Sequence, residues 1–265
     1  MNLKYKNYIF DLYGTLIDIQ TDENDMSLWE EMSKIYSCYG SDYEPDELQS
    51  RYLALVREEE NEIYEKKGYG CPEIRLERVF ARLLTEAERK HPTSEKIASM
   101  VNEELMESDW MKLIANTFRT ISRSKINVYP GVFELFDRIR SGGGHIYLLS
   151  NAQRCFTEAE LEETGLSDQF NAVYLSSDYE MKKPQPEFIR RLIHDEGLDA
   201  EESVMIGNEF HADIGSALSA GMDSIYINSY DLPPNEMRLR LMYEMQGHPK
   251  TLTPKITDTI ADLLD

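Results

Sequence analysis

From Ile126 onward the chain alternates short apolar runs with helical stretches that end at glycine. The runs are HIYLLS from His145, AVYLS from Ala172, SVMIG from Ser203 and SIYIN from Ser224. Each is too short for a helix and has no polar residue on alternate positions, the pattern of a strand buried on both faces. Between them lie helical patterns: one opened by Tyr129-Pro130-Gly131 and closed at Ser141-Gly142-Gly143-Gly144, then Thr157 to Thr164, Pro186 to Glu196 and Ala212 to Ala220, closed by Gly165, Gly197 and Gly221. Strands alternating with helices in this way predict an α/β fold, a Rossmann-like parallel sheet with helices on both faces. One more apolar, aromatic-rich run, Tyr5 to Leu12, reads as a buried strand that ends at an Asp and a Gly-Thr turn.

Between that first strand and the rest the texture differs. From Asp18 to about Lys125 there are long polar stretches with apolar residues at helical spacing and no convincing strand. Leu48, Tyr52, Leu55 and Val56 fall on one helix face. Ile74, Val79, Phe80 and Leu83 suggest a second helix, and Met100, Val101, Leu105, Leu113, Ile114, Phe118 and Ile121 one or two more. Pro45, Pro72 and Pro92 sit where helices begin, a position that tolerates proline. The expected organisation is a core made of 1–17 and 126–265, split by an all-helical domain over 18–125. The tail from Tyr230 reads as polar, then as an amphipathic helix from Ile256 to Leu264 that packs back on the core.

Charge narrows the function. With 49 Asp and Glu against 28 Lys and Arg, the net charge is −21. A phosphate backbone needs a basic face, so nucleic acid is not an expected partner, and an anionic membrane surface is equally unsuited. No apolar run reaches the length of a membrane span, and the first ten residues carry no extended apolar segment of a secretory signal. Cys38, Cys71 and Cys155 are odd in number and widely spaced, which argues against a disulfide framework and fits a reducing, cytoplasmic setting. The five histidines (91, 145, 194, 211 and 248) show no ligand spacing. The expected partner is a small-molecule substrate. Oligomeric state is not legible.

In an open parallel sheet, ligands bind at the carboxyl ends of the strands. The first strand ends in Asp11, Tyr13, Gly14 and Thr15, and the next in Ser150 and Asn151. Lys182, Lys183 and Pro184 follow the third, and Gly207, Asn208 and Glu209 end the fourth, with Asp213 just beyond. Each has an ordinary structural use alone: a turn Asp, a capping hydroxyl, a solvated Lys, a first-turn acid at a helix dipole. In order and position together, the segments FDLYGTL, LLSNA, KKPQPEFI and GNEFHADIGSALSAGM resemble the four motifs of the haloacid dehalogenase superfamily over roughly 1–17 and 126–229. The helical insert resembles that family's helical cap, which lies over the site and selects the substrate.

The resemblance implies a hydrolase in which Asp11 attacks the substrate and forms a covalent aspartyl intermediate that water then hydrolyses. Thr15 and Ser150 would donate hydroxyl hydrogen bonds to the anionic group and Asn151 an amide. Lys183, rather than Lys182, would stabilise negative charge beside Asp11. Two departures divide the family's reactions. Phosphatases carry a second Asp where this chain has Tyr13, as general acid and then base. Dehalogenases resemble this chain in having Tyr there, since halide leaves without a proton. Phosphatases also carry a metal-binding Asp where this chain has Asn208. If Mg2+ is used, the implied ligands are Asp11, the Tyr13 main-chain carbonyl, Asn208 and Asp213, with Glu209 adjoining, and the interval from Asn208 to Asp213 is that of the phosphatases. The early cap Arg of dehalogenases is missing: between Ile17 and Ser50 the only basic residue is Lys34. Arg51 and Arg57 read as a solvated helix face beside Glu58 to Glu60. The expectation leans slightly to a dehalogenase-like hydrolase, with Tyr13 also contacting substrate. The alternatives are a Mg2+-dependent phosphatase of small metabolites and a catalytically drifted binding or regulatory protein.

Overall fold

The structure is a computed structural model that describes residues 4–87, 97 and 100–264. Pro92 and His91 lie outside the described residues. Six strands form one parallel sheet: β1 (Asn7–Phe10), β4 (His145–Ser150), β5 (Ala172–Leu175), β6 (Ser203–Gly207), β7 (Asp223–Ile227) and β8 (Lys255–Thr257), in the order β5-β4-β1-β6-β7-β8. β1 lies centrally, with Phe10 opposite Leu148 of β4 on one side and Ile206 of β6 on the other. The alternation of side chains across the pleat sorts the residues into two cores. Tyr8, Phe10, Ile146, Leu148, Val204 and Ile206 pack on one face, under α6 (Val132–Ser141). Ile9, Tyr147, Leu149 and Met205 pack on the other, under α9 (Pro186–Asp195). The remaining core helices are α7 (Arg154–Glu163), the short α8 (Ser176–Tyr179) and α10 (Gly215–Ala220).

The insert carries α1 (Met26–Cys38), α2 (Pro45–Lys67), α3 (Leu76–Thr85), α4 (Asn102–Met106) and α5 (Asp109–Ser122). Pro45 is the first residue of α2, as its fixed φ favours. Pro72 does not start a helix but bridges to Met181 in the core. α1 is amphipathic, with Leu28, Trp29, Met32 and Tyr36 buried, and Asp25 caps it by accepting from the Ser27 amide. These helices share a core of their own in which Trp29, Tyr52, Phe80 and Phe118 meet ring to ring. Phe156, from core helix α7, stacks on Phe118 at 5.9 Å and so joins the insert to the sheet layer.

Three further expectations need correction. The insert is not wholly helical at its edges: β2 (Ile17–Thr21) and β3 (Arg123–Val128) pair antiparallel, Ile17 opposite Val128 and Ile19 opposite Ile126, across both ends of the expected insert. Both strands are largely half-buried or exposed, with only Ile17 fully buried, a weak signal at five or six residues. The tail also differs. Pro234–Glu244 forms a helix, α11, with no buried residue. The segment from Ile256 is not one helix: Lys255–Thr257 extends the sheet as β8, and only Ile260–Leu264 turns, as 3₁₀. Thr259 and Asp262 bond reciprocally, the Asp262 carboxylate accepting from the Thr259 amide and the Thr259 hydroxyl from the Asp262 amide, so the helical turn starts only at Ile260. Ile260 and Leu263 are buried, so the tail does pack back on the core. Finally, the helix expected from Ala212 begins instead as a wide π-type turn, Phe210–Ile214, ahead of α10. Among the described residues no helix is long and apolar enough to cross a membrane.

Phe118 is fully buried at the centre of the insert's aromatic core. Phe118→Ala is expected to cost about 3–5 kcal/mol, read from urea unfolding. A loss below about 1 kcal/mol would mean that this cluster does not carry the insert's stability.

Candidate active site

The carboxyl ends of β1, β4 and β6 converge, and their first loop residues meet around one ammonium group. Lys183 Nζ lies 2.7 Å from Asp11 Oδ1, 2.6 Å from Asp213 Oδ1 and 2.7 Å from the Leu149 carbonyl. Its three protons are thus all donated. Burial opposes the lysine's charge, but Asp11 and Asp213 outweigh it and raise its pKa. Asp213 is held on its other side by the Glu209 amide at 2.9 Å, so both of its oxygens are engaged. Burial pushes the Asp213 carboxyl up to about 7, against the pull of Lys183 and with the push of Asp11. Asp213 can lie under β6 because residue 207 is glycine: a Cβ there would fall 2.1 Å from Asp213 Oδ2.

Asp11 is the member of this group that remains reachable, with 10 % of its side chain exposed against 1 % for Lys183 and none for Asp213. The Ser150 hydroxyl donates to Asp11 Oδ1 at 3.2 Å, and Thr15 Oγ1 lies 3.4 Å from Asp11 Oδ2. Thr15 Oγ1 also lies 3.2 Å from Asn208 Oδ1, so a carboxylate oxygen and an amide oxygen face one point. Gly14, at φ +80°, makes that approach: a Cβ there would sit 2.1 Å from Asn208 Nδ2 and 2.7 Å from the Tyr230 hydroxyl. Asn208 Nδ2 is buried with no hydrogen-bond partner.

The structure therefore brings Asp11, Thr15, Ser150, Lys183, Asn208 and Asp213 together, while Asn151 and Tyr13 take other roles. Asn151 engages the Lys183 main chain: its Oδ1 accepts from the Lys183 amide at 2.7 Å and its Nδ2 donates one proton to the Lys183 carbonyl at 3.0 Å. It fixes the main chain that carries Lys183. Tyr13 is turned onto α7, where its hydroxyl donates to Glu160 and meets Thr157 Oγ1 at 3.0 Å. Burial, then the charge of Glu160, raises the phenol well above its usual pKa. Lys182 is apart from the group, 3.6 Å from Glu60, and Glu209 is exposed. Arg51 pairs with Glu58 and Glu86 and Lys34 with Glu31, so these are surface ion pairs. Arg119 and Glu160, which engage Tyr13, carry no strand-end signal and were invisible in the sequence.

Among the described residues no three His, Cys, Asp or Glu side chains cluster as metal ligands. Asp213 is committed to Lys183 and to the Glu209 amide, so it falls outside the implied metal set. What remains, Asp11, the Asn208 amide oxygen and the Tyr13 carbonyl, fits a hard cation that keeps several waters, as Mg2+ does.

The family model of haloacid dehalogenase-like hydrolases matches residues 76–227. The chain belongs to that family. It is 27 % identical over 119 residues to the pyrimidine 5'-nucleotidase PynA of Streptococcus pneumoniae, covering 44 % of this chain and 50 % of that one. It is 26 % identical over 113 residues to the glyceraldehyde 3-phosphate phosphatase of Methanothermobacter thermautotrophicus, covering 43 % and 50 %. The chain thus spans about half the length of the curated relatives it matches. In fold it is similar to the 2-haloacid dehalogenase of Pseudomonas syringae pv. tomato, with a TM-score of 0.60 and 18 % identity over 98 % of this chain and 96 % of that one.

The raised pKa of Asp213 sets the sign of a pH effect. From its unfolded value near 3.8 up to about 7, the folded protein holds a proton that the unfolded chain has released. The contribution of Asp213 to stability is full below the lower value and is lost as pH rises through the upper one. Urea unfolding at intervals from pH 4 to pH 8 is expected to show a downward slope that flattens in Asp213→Asn. An unchanged slope would remove Asp213 as its source.

Proposed function

We propose that the chain hydrolyses a small phosphorylated metabolite through a covalent aspartyl intermediate on Asp11, with a preference for leaving groups that depart without a proton. The observation that carries this reading is the pairing of an accessible Asp11 with a buried, fully coordinated Lys183. Asp11 Oδ attacks phosphorus, the bond to the leaving oxygen breaks, and water then attacks the acyl phosphate and regenerates the carboxylate. Lys183 stays in place throughout as a fixed charge against the developing negative charge, and the Ser150 and Thr15 hydroxyls bind phosphoryl oxygens. Mg2+ held by Asp11, Asn208 and the Tyr13 carbonyl would supply further neutralisation of the substrate's charge.

Phosphoryl chemistry is favoured by the local charge. Asp11, beside the Asn208 amide oxygen and sharing Lys183, presents hard oxygen donors that suit a divalent cation and a phosphate better than a bare carboxylate substrate. The cap cations nearest Tyr13 do not offset it, because Arg119 and Arg123 are both paired with Glu160. The leaving-group preference follows from Tyr13. Its phenol is bound on α7 and its pKa is raised, so the loop offers neither a general acid nor a base where phosphatases of the family carry Asp. General acid assistance is worth about 10²–10⁴-fold. A phosphoanhydride, an acyl phosphate or an aryl phosphate leaves as a weak base and needs none. The same feature supports a second reading, 2-haloacid hydrolysis, since halide also leaves unprotonated. The core is proposed as 1–17 and 126–265 and the cap as 18–125, with the β2–β3 ribbon joining them.

The test is a series of phosphate esters and anhydrides of decreasing leaving-group pKa, assayed with Mg2+ and with chelator, beside halide release from a 2-haloacid. Turnover is expected for acyl and aryl phosphates and to fall by about 100-fold or more for alkyl phosphates, and to vanish in Asp11→Asn. Equal rates across the series would contradict the leaving-group argument. Metal-independent halide release would establish the second reading, and turnover by Asp11→Asn would refute both.

A further inference from the structure

The residue two positions beyond Asp11 is tied to the cap. The Tyr13 hydroxyl donates to Glu160, a carboxylate on α7 that is only 1 % exposed. Glu160 is gripped in turn from the insert side. Arg119, on α5, donates to it from Nε at 2.7 Å and Nη2 at 3.3 Å, and Arg123, the first residue of β3, from Nη1 at 3.3 Å. The Arg119 guanidinium also lies over the Tyr13 ring at 5.6 Å and over the Phe156 ring at 5.1 Å. Arg123 is anchored a second time, by Glu163 one turn further along α7, at 2.7 Å. One buried carboxylate thus joins the nucleophile loop, a core helix, a cap helix and the ribbon that leads out of the cap.

A buried ion pair is a weak source of stability, because apolar groups of similar volume often fill its place at no loss. What it supplies is directional: a bidentate guanidinium and a phenol can satisfy one carboxylate in few arrangements. We propose that Glu160 is a positioning residue for the nucleophile, holding Tyr13 and hence the Asp11 loop in register with the cap through Arg119 and Arg123. This rests on the reading of Asp11 as nucleophile. In this family member the position two beyond the nucleophile is used as a mechanical link instead of a proton donor. A shift of α5 or β3 would loosen Glu160 and displace the loop that bears Asp11, so that the reacting geometry is complete only with the cap seated.

Tyr13→Phe removes the hydroxyl and leaves the Glu160 ion pairs intact. Amide hydrogen exchange on the whole protein is expected to quicken in two places together, the loop 11–17 and the segment 119–128. Turnover of an aryl phosphate is expected to fall on the order of 10–100-fold in kcat, with KM unchanged. Glu160→Gln, which keeps shape and an acceptor for Tyr13 while weakening the guanidinium pairs, should give the same two-site change in milder form. The double variant should be no worse than Tyr13→Phe alone. Exchange that quickens at only one of the two places, or a lowered melting temperature with kcat retained, would overturn the proposal and leave Glu160 a packing element. The exchange result does not depend on turnover. Activity surviving Asp11→Asn would therefore count against the nucleophile assignment alone.

Discussion

The lysine ammonium buried between Asp11 and Asp213 is the constraint on which the rest of the site depends. An amino group taken out of water is costly unless every proton finds a partner and the charge is matched. Lys183 meets both conditions, with two carboxylates and the Leu149 carbonyl. Meeting them requires three strand ends to arrive at one point: β1 for Asp11, β4 for Leu149 and β6 for the turn that brings Asp213. The parallel register of these strands makes that possible, since Phe10, Leu148 and Ile206 are level and the residues after them emerge on the same edge of the sheet. Local devices then serve this one contact. Gly207 clears space for Asp213, the π-type turn after Glu209 aims it, and Asn151 clamps the Lys183 main chain from both sides.

The electrostatic consequence is a division of labour between two carboxylates in one site. Asp213 is wholly buried and shares Lys183, and burial favours its protonated form toward neutral pH. Asp11 shares the same ammonium yet keeps part of its side chain exposed. A group that must attack a substrate has to be reachable, and a group that must orient a lysine does not. Residue type cannot separate these roles, because both are Asp. The difference comes from depth below the strand ends.

Depth also explains what could be read in advance. The sheet was legible because a strand buried on both faces is written as an uninterrupted apolar run, and the strand-end residues followed from it. β2 and β3 escaped because each is largely half-buried or exposed and only five or six residues long. α11 escaped because it buries no residue fully, only packing Met237 and Leu241 partly against Phe210 and Tyr226, and β8 because its three residues borrow their order from β7. Of the site, Asp11, Thr15, Ser150, Lys183, Asn208 and Asp213 could be collected from sequence, since each lies at a strand end or on the segment that follows one. The engagement of Asn151 with the main chain could not, as an amide beside a strand end serves ligand and backbone equally well. Nor could the partners of Tyr13. Arg119 and Glu160 are 41 residues apart in sequence, one in a cap helix and one in a core helix, and each sits among ordinary helix-surface charges until the packing of Phe156 on Phe118 brings the two helices together.

That packing bears on how the cap and the chemistry are coupled. An apolar contact such as Phe118 on Phe156 is non-directional and tolerates sliding. The Glu160 carboxylate beside it is directional, and its partners include the residue next but one to Asp11. The two interactions therefore do different work at the same interface, the first holding cap against core and the second fixing their relative register. In the proposed mechanism, a chain with Tyr13 two residues past its nucleophile does without proton transfer at that place. It gains a side chain long enough to cross from the nucleophile loop to the cap boundary, which an Asp is too short to do. In the proposed mechanism the residue that narrows the choice of leaving group is thus the same one that lets the cap act on the nucleophile.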